Sequence, residues 1–312
     1  MAVIRVENLA RRFGQRLAVA GVSFEVEEGE IFGFLGPNGA GKTTTQRMLT
    51  GVLEPTSGHA FVLDHDMARD PIGAKEHVGV VPEVSNPYVE LTAWQNAMLM
   101  AELYGLSRRR RQERGEELFE FFELTQRRHD KVKTFSKGMR QRLMLIMALM
   151  HEPQALFLDE PTAGLDVASR RLIHTRVRQL AAEGAAVFYT THNIEEANAL
   201  CNRVAIIRQG KLVAVDTPEN LKAAFAGSQS VQVAFAGPVA AEEVFALPGV
   251  ERGEVEGDKL RLYTQNPGAV IEQVVGFAAE HGLKILSLNT LGPSLEEVFV
   301  RLTEGASEVE AQ

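Results

Sequence analysis

The stretch GFLGPNGAGKTTTQRML, residues 33–49, decides the fold. It follows a run that reads as a strand, EIF, and opens a segment that reads as a helix. Gly36 to Thr43 satisfies the pattern G-x-x-x-x-G-K-[ST] in the strand, loop and helix context that the pattern requires. Glycines at this spacing let backbone N–H groups wrap an anion, and the helix N-terminus adds positive potential. Lys42 would reach the β and γ phosphates of a triphosphate, and the Thr43 hydroxyl would hold Mg²⁺. A Gly-rich turn before an ordinary helix is the plain alternative, and the order of elements argues against it.

Residues 1 to about 80 alternate like strands in AVIRVENL, VSFEVEEG, HAFVL and HVGVVP. The middle, about 85–150, carries apolar residues at helical spacing in TAWQNAMLMAELYGL and GEELFEFFEL. From 155 the pattern alternates again. ALFLDE and AAVFYTTH read as buried parallel strands, and RVAIIRQGKLVAVD reads as a hairpin turning at Gln209-Gly210. SRRLIHTRVRQLAAEG reads as a helix ending at Gly184. Near 226 the character changes. Residues 227–305 read as βαββαβ plus a final helix opened by a Ser294/Glu297 capping box, the order of a small ferredoxin-like α+β module. Residues 306–312 read as a flexible tail.

ALFLDEPTAGLD places Asp159 and Glu160 at the end of a buried apolar strand, where two adjacent acids are costly without a cationic partner. Beside a phosphate cradle, Asp159 can complete Mg²⁺ coordination with Thr43, and Glu160 can orient or deprotonate a water.

Composition narrows the function classes. A chain of 312 residues suggests two domains, and 45% hydrophobic with 24% charged residues is ordinary for a globular protein. A formal charge of -8 gives no general attraction to nucleic acid. The single cysteine, Cys201, excludes an internal disulfide and fits a reducing compartment. The N-terminus lacks a charged-then-apolar signal pattern. The longest apolar run, Leu143 to Met150, is eight residues against the roughly 20 needed to span a bilayer. The expectation is a cytoplasmic chain; at a membrane, another chain would do the spanning. The basic run SRRRRQERGEE reads as a solvated helix face, since Glu113, Glu116 and Glu117 follow at once.

GPNGAGKTT, FSKGMRQR, LFLDEPTAGLD and TTH, in this order and spacing, resemble the ATP-binding subunit of an ABC transporter over roughly residues 3–220. The form FSKGMRQR and the C-terminal module are similar to the export-type subfamily. The resemblance implies an α/β P-loop core over 1–226, with an antiparallel β subdomain and a helical subdomain. It implies an ATPase that works with ATP and Mg²⁺. Two copies, or this chain and a paralogous subunit, would sandwich two ATP and drive a separate integral membrane permease from the inner face of the membrane. Gly36, Pro37, Asn38, Gly39, Ala40, Gly41, Lys42, Thr43 and Thr44 are then the expected nucleotide contacts, with Phe13 stacking on the adenine. His192 resembles the switch histidine at the γ-phosphate and joins Glu160 and Lys42 as expected catalytic residues. Ser136 and Gly138 would complete the site of the partner copy. Asp166 lies in the loop that meets that copy.

The sequence departs from the family pattern at three positions. Lys137 and Met139 replace a Gly and the Gln of the usual L-S-G-G-Q, and Lys137 would place a cation near the phosphates or the interface. Glu83 replaces the usual Gln after VP and is expected to ligate Mg²⁺ with Thr43 and Asp159. The competing reading is a soluble ABC ATPase acting on nucleic acid or ribosomes. The 116 residues from Thr43 to Leu158 leave no room for the long coiled coil of repair-type relatives, and one cradle per chain is unlike the paired cassettes of ribosome-acting ones. A third reading, compatible with the first, makes the C-terminal module a regulatory binding domain.

Overall fold

The computed structural model describes residues 2–84, 86–224 and 229–304, without the side chains of residues 301, 303 and 304. The chain divides into two compact units after Pro218. The boundary expected near 226 and the tail 306–312 lie outside the described residues.

The first unit opens with β1 (Ala2–Phe13) and β2 (Arg16–Glu27), which pair antiparallel around a tight turn at Gly14-Gln15. β3 (Ile31–Leu35) is buried along its whole length and feeds the glycine loop and α1 (Lys42–Leu49). β4 (Ser57–Val62) and β5 (His65–Asp66) return to the first sheet, whose order is β2-β1-β4-β5. α2 (Pro71–Lys75) leads into β6 (Val78–Val81).

The helical region holds α3 (Ala93–Leu103), α4 (Arg108–Phe121) and α5 (Lys137–Leu149). α3 starts at a reciprocal capping box between Thr92 and Gln95. α4 takes in the basic run. Arg109 and Arg110 pair with Glu113, and Arg114 pairs with Glu117, so the run is a solvated, ion-paired face.

The remaining elements are β7 (Ala155–Asp159), α6 (Val167–Ala182), β8 (Ala186–Thr191), α7 (Ile194–Leu200), β9 (Arg203–Arg208) and β10 (Lys211–Asp216). They build a second sheet of order β10-β9-β3-β8-β7-β6, parallel except for the β9/β10 hairpin. That hairpin turns at Gln209 and Gly210, both at positive φ, as a type I′ turn demands. Full burial of β3, β7 and β8 explains why they read as continuous apolar runs rather than alternating ones.

The two sheets meet through aromatics. Phe24 of β2 stacks on Phe32 at 5.1 Å and on Phe188 at 5.8 Å, and Phe157 stands 5.7 Å from Phe188. Burying each such ring contributes roughly 2–3 kcal/mol, so this cluster fixes one sheet over the other. The register aligns Leu35 with Thr191 and Asp159 with Thr190. The carboxyl ends of β3, β8 and β7 therefore lie side by side, where open parallel sheets place their ligands.

In the second unit, α8 (Pro218–Ala223) precedes β11 (Gln229–Phe235), α9 (Ala241–Phe245), β12 (Arg252–Glu256), β13 (Lys259–Thr264), α10 (Pro267–Glu280), β14 (Ile285–Leu291) and α11 (Leu295–Glu304). The strand order β12-β13-β11-β14, antiparallel throughout, is the ferredoxin-like arrangement. Its core is Val231, Val233, Leu262, Val270, Val274 and Phe277. The Ser294/Glu297 capping box forms in both directions, at 3.1 and 3.3 Å.

Candidate nucleotide site

A cavity of about 480 Å³ opens at the carboxyl end of β3. It is lined by Phe13, Asn38, Gly39, Gly41, Lys42, Thr43, Thr44, Glu83 and Glu160, together with Arg16 and Ala18. Residues from four distant parts of the sequence thus converge on one space. Of the other cradle residues, Ala40 is buried, and Gly36 and Pro37 present their carbonyls to Lys42. At Gly41, φ is 115° and a Cβ would stand 2.7 Å from the Ala18 carbonyl, so the loop can follow this path only with glycine.

Lys42 is held from three directions. Its ammonium donates to the Gly36 carbonyl at 2.8 Å and to the Pro37 carbonyl at 3.2 Å, and it pairs with Glu160 Oε1 at 3.2 Å. Both side chains of the pair are less than a tenth exposed. Desolvation offsets much of the Coulombic gain of a buried ion pair of this kind, so its net worth is small.

Glu160 follows β7 with φ at 46°, uncommon for a residue with a Cβ. Its N–H donates to the Thr190 carbonyl at 3.1 Å. Its Oε2 is 2.6 Å from His192 Nδ1. The carboxylate is therefore gripped by a lysine and a histidine, the geometry of a base oriented by a third group. Asp159 is 3% exposed, and its Oδ1 accepts from the Thr190 hydroxyl at 2.5 Å. Thr43, Asp159 and Glu83 offer only oxygen, the donor type Mg²⁺ selects.

Phe13 is 46% exposed, with the Arg11 guanidinium 4.8 Å from its ring centroid. A ring so exposed at the mouth of a cavity offers its free face to a flat ligand. Ser136 and Gly138 do not line the cavity. Ser136 caps α5, accepting from the Met139 N–H at 3.3 Å. Asp166 caps α6 and accepts from both the N–H and the hydroxyl of Ser169, which hold its carboxyl below the usual range. Lys137, expected near the phosphates or the interface, donates to the Ala163 carbonyl. Its stem is long enough to reach across from α5 to the loop that follows Glu160. Cys201 is buried, which pushes its thiol up and keeps it inert.

Sequence reasoning missed the group beneath the site. Glu196 of α7 accepts from Tyr189 at 2.9 Å, from Thr191 at 2.7 Å, from His174 at 2.6 Å and from the Thr162 hydroxyl. Burial opposes its charge, yet the donors, His174 foremost, hold its carboxyl down to about 2. The same burial and the Glu196 charge push the Tyr189 phenol up. This carboxylate ties the loop after Glu160 to the turn that carries His192. Its signal in the sequence is Asn193 with Glu196 three residues on, a helix-start pattern whose acid here turns inward.

The profile of the ABC transporter family matches residues 19–163, and that of the C-terminal domain of DrrA1-3-like ATP-binding proteins matches 217–303. The chain is 36% identical over 306 residues to the linearmycin resistance ATP-binding protein LnrL of Bacillus subtilis (strain 168), covering 96% of this chain and 98% of that protein. It is 39% identical over 302 residues to the Nod factor export ATP-binding protein I of Rhizobium sp. (strain N33), covering 96% of each. A solved ATP-binding subunit of an ABC transporter superimposes with a TM-score of 0.67 at 30% identity, over 72% of this chain and 93% of that one. The chain belongs to the ATP-binding subunits of ABC transporters, and it is an ATPase of that family.

Proposed function

We propose that two copies of this chain close on two ATP molecules and that the cycle of closing, hydrolysis and reopening drives export through a separate membrane permease. Lys42 and the cradle amides bind the phosphates, and Phe13 stacks on the adenine. Thr43, Asp159 and Glu83 hold Mg²⁺, which neutralises the developing phosphate charge. Glu160 orients and deprotonates the attacking water, His192 contacts the γ-phosphate, and Ser136 and Gly138 are contributed from the partner copy. One observation carries this reading. The cavity gathers Phe13, Lys42, Thr43 and Glu160 from one chain, whereas Ser136, an exposed helix cap, does not line it. A second chain is the natural way to bring such a cap to the open side of the cavity.

The permease is supported by the chain's surface and by its relatives. Val84, Tyr88 and Leu103 are each more than half exposed, in the segment between Glu83 and the end of α3. Among the described residues no helix is long and apolar enough to cross a membrane. The names of the relatives, Nod factor export and linearmycin resistance, favour the outward direction. The test is recovery of the tagged full chain from detergent-solubilised membranes. A stoichiometric polytopic membrane protein should accompany it and should raise its ATP turnover. Recovery of the chain alone, with hydrolysis indifferent to membrane extracts, would contradict the transport role.

A further inference from the structure

Lys137 stands where the usual signature carries glycine, and its ammonium reaches the loop that follows Glu160. Its Nζ donates to the Ala163 carbonyl at 2.5 Å. The Ala163 N–H donates in turn to the Glu160 carbonyl at 3.1 Å. Ala163 is thus held at both main-chain polar groups, by Glu160 on one side and by Lys137 on the other. The next residue makes room for this contact. Gly164 has φ at 66°, and a Cβ there would stand 2.6 Å from Lys137 Nζ. One residue along the signature, a Cβ at Gly138 would meet Ser169 Oγ at 2.5 Å, so backbone of α5 lies directly against the start of α6. The segment from Glu160 to Ser169 is therefore fastened to the signature at two points. Glu160 itself holds a backbone conformation that persists only where the surroundings over-determine it.

We infer that Lys137 is a positioning residue that fastens the signature to the loop carrying Glu160, so that capture of the partner copy's ATP by Ser136 and Gly138 is transmitted to the base of the same chain. This rests on the pairing of two copies proposed above. An ammonium on a carbonyl is a charge-assisted bond, stronger than a neutral one. Its loss lets the turn at Glu160 sample other conformations and leaves the cradle, and hence ATP binding, in place. The two sites of a pair then fire with less reference to one another.

The experiment is a Mg-ATP titration of steady-state turnover by the full chain, for wild type and Lys137→Met. The variant should lower kcat by about tenfold, as expected for one charge-assisted bond, with KM changed by less than about twofold. The Hill coefficient should fall toward 1. A kcat and Hill coefficient for Lys137→Met equal to wild type would overturn the inference, as would a KM that rises while kcat stays unchanged. Sedimentation in the Glu160→Gln background separates the two readings. If ATP brings no dimer there, the pairing itself is wrong and the inference falls with it. If ATP does bring the dimer and the kinetics of Lys137→Met are unchanged, the inference alone is refuted.

Discussion

Replacing Glu160 by Gln should move binding and turnover in opposite directions. The Glu160 carboxylate pairs with Lys42 at 3.2 Å, with both side chains less than a tenth exposed, and its Oε2 lies 2.6 Å from His192 Nδ1. The γ-phosphate must enter the same space and take Lys42 for itself. Two unit charges about 4 Å apart interact by about 4 kcal/mol at an effective dielectric near 20, and desolvation and rearrangement cancel much of that for a real pair. Gln keeps the shape and removes the charge, so Lys42 is released and the phosphate meets one anion fewer. ATP should bind on the order of tenfold more tightly, a residue of about 1.4 kcal/mol from those larger opposing effects. The chemical step should slow by roughly 10² to 10⁴, the worth of a positioned base. Equilibrium binding of Mg-ATP and single-turnover hydrolysis at saturating Mg-ATP read the two quantities separately. Turnover within about fivefold of wild type, or weaker ATP binding, would refute the placement of Glu160 beside both Lys42 and the attacking water.

Three further outcomes follow from the same geometry. Phe13→Ala should weaken ATP binding by roughly 5- to 100-fold, the range for losing one base-stacking ring, while leaving the saturated rate near wild type; an unchanged Kd would remove Phe13 from the site. Glu83→Gln should raise the Mg²⁺ concentration needed for half-maximal hydrolysis several-fold, on the order of one charge beside the cation, while sparing nucleotide binding, and superimposable Mg²⁺ titrations would make Glu83 a surface acid. Glu196 is a depressed acid, so the stability it contributes is complete above its unfolded value near 4.5 and is lost as pH falls toward about 2. Wild type should lose about 2–3 kcal/mol across that window that Glu196→Gln does not lose, measured by denaturant unfolding at each pH; parallel curves would place the carboxylate outside the network.

The legible parts of this molecule were those where chemistry forces a local pattern. The cradle from Gly36 to Thr43 is contiguous, and the fully buried strands β3, β7 and β8 leave apolar runs that can be read directly. The Gln209-Gly210 turn and the Ser294/Glu297 box are local for the same reason. The network around Glu196 was not legible, because His174, Tyr189 and Glu196 come from three elements and Thr162 from the loop after Glu160, and each has an ordinary local explanation. The contact of Lys137 was not legible for a related reason: a lysine stem spans several ångströms, and its ammonium meets the Ala163 carbonyl 26 residues along the chain. The first unit closes where β10 completes the second sheet at Asp216, and the chain leaves it directly afterwards.

The central claim is that each ATP is held between the cradle of one copy and the signature of another. It is tested most directly by mixing two disabled variants. Lys42→Ala removes the cradle cation, and Ser136→Glu sets a negative charge on the signature cap. Each alone should hydrolyse ATP at a small fraction of the wild-type rate. In an equal mixture half the dimers are mixed, and each mixed dimer holds one site with an intact cradle and an intact signature, so turnover should rise above that of either component, up to about a quarter of wild type if the two sites fire independently and less where they are coupled. A mixture no more active than its two components, with both variants folded, would contradict the shared site.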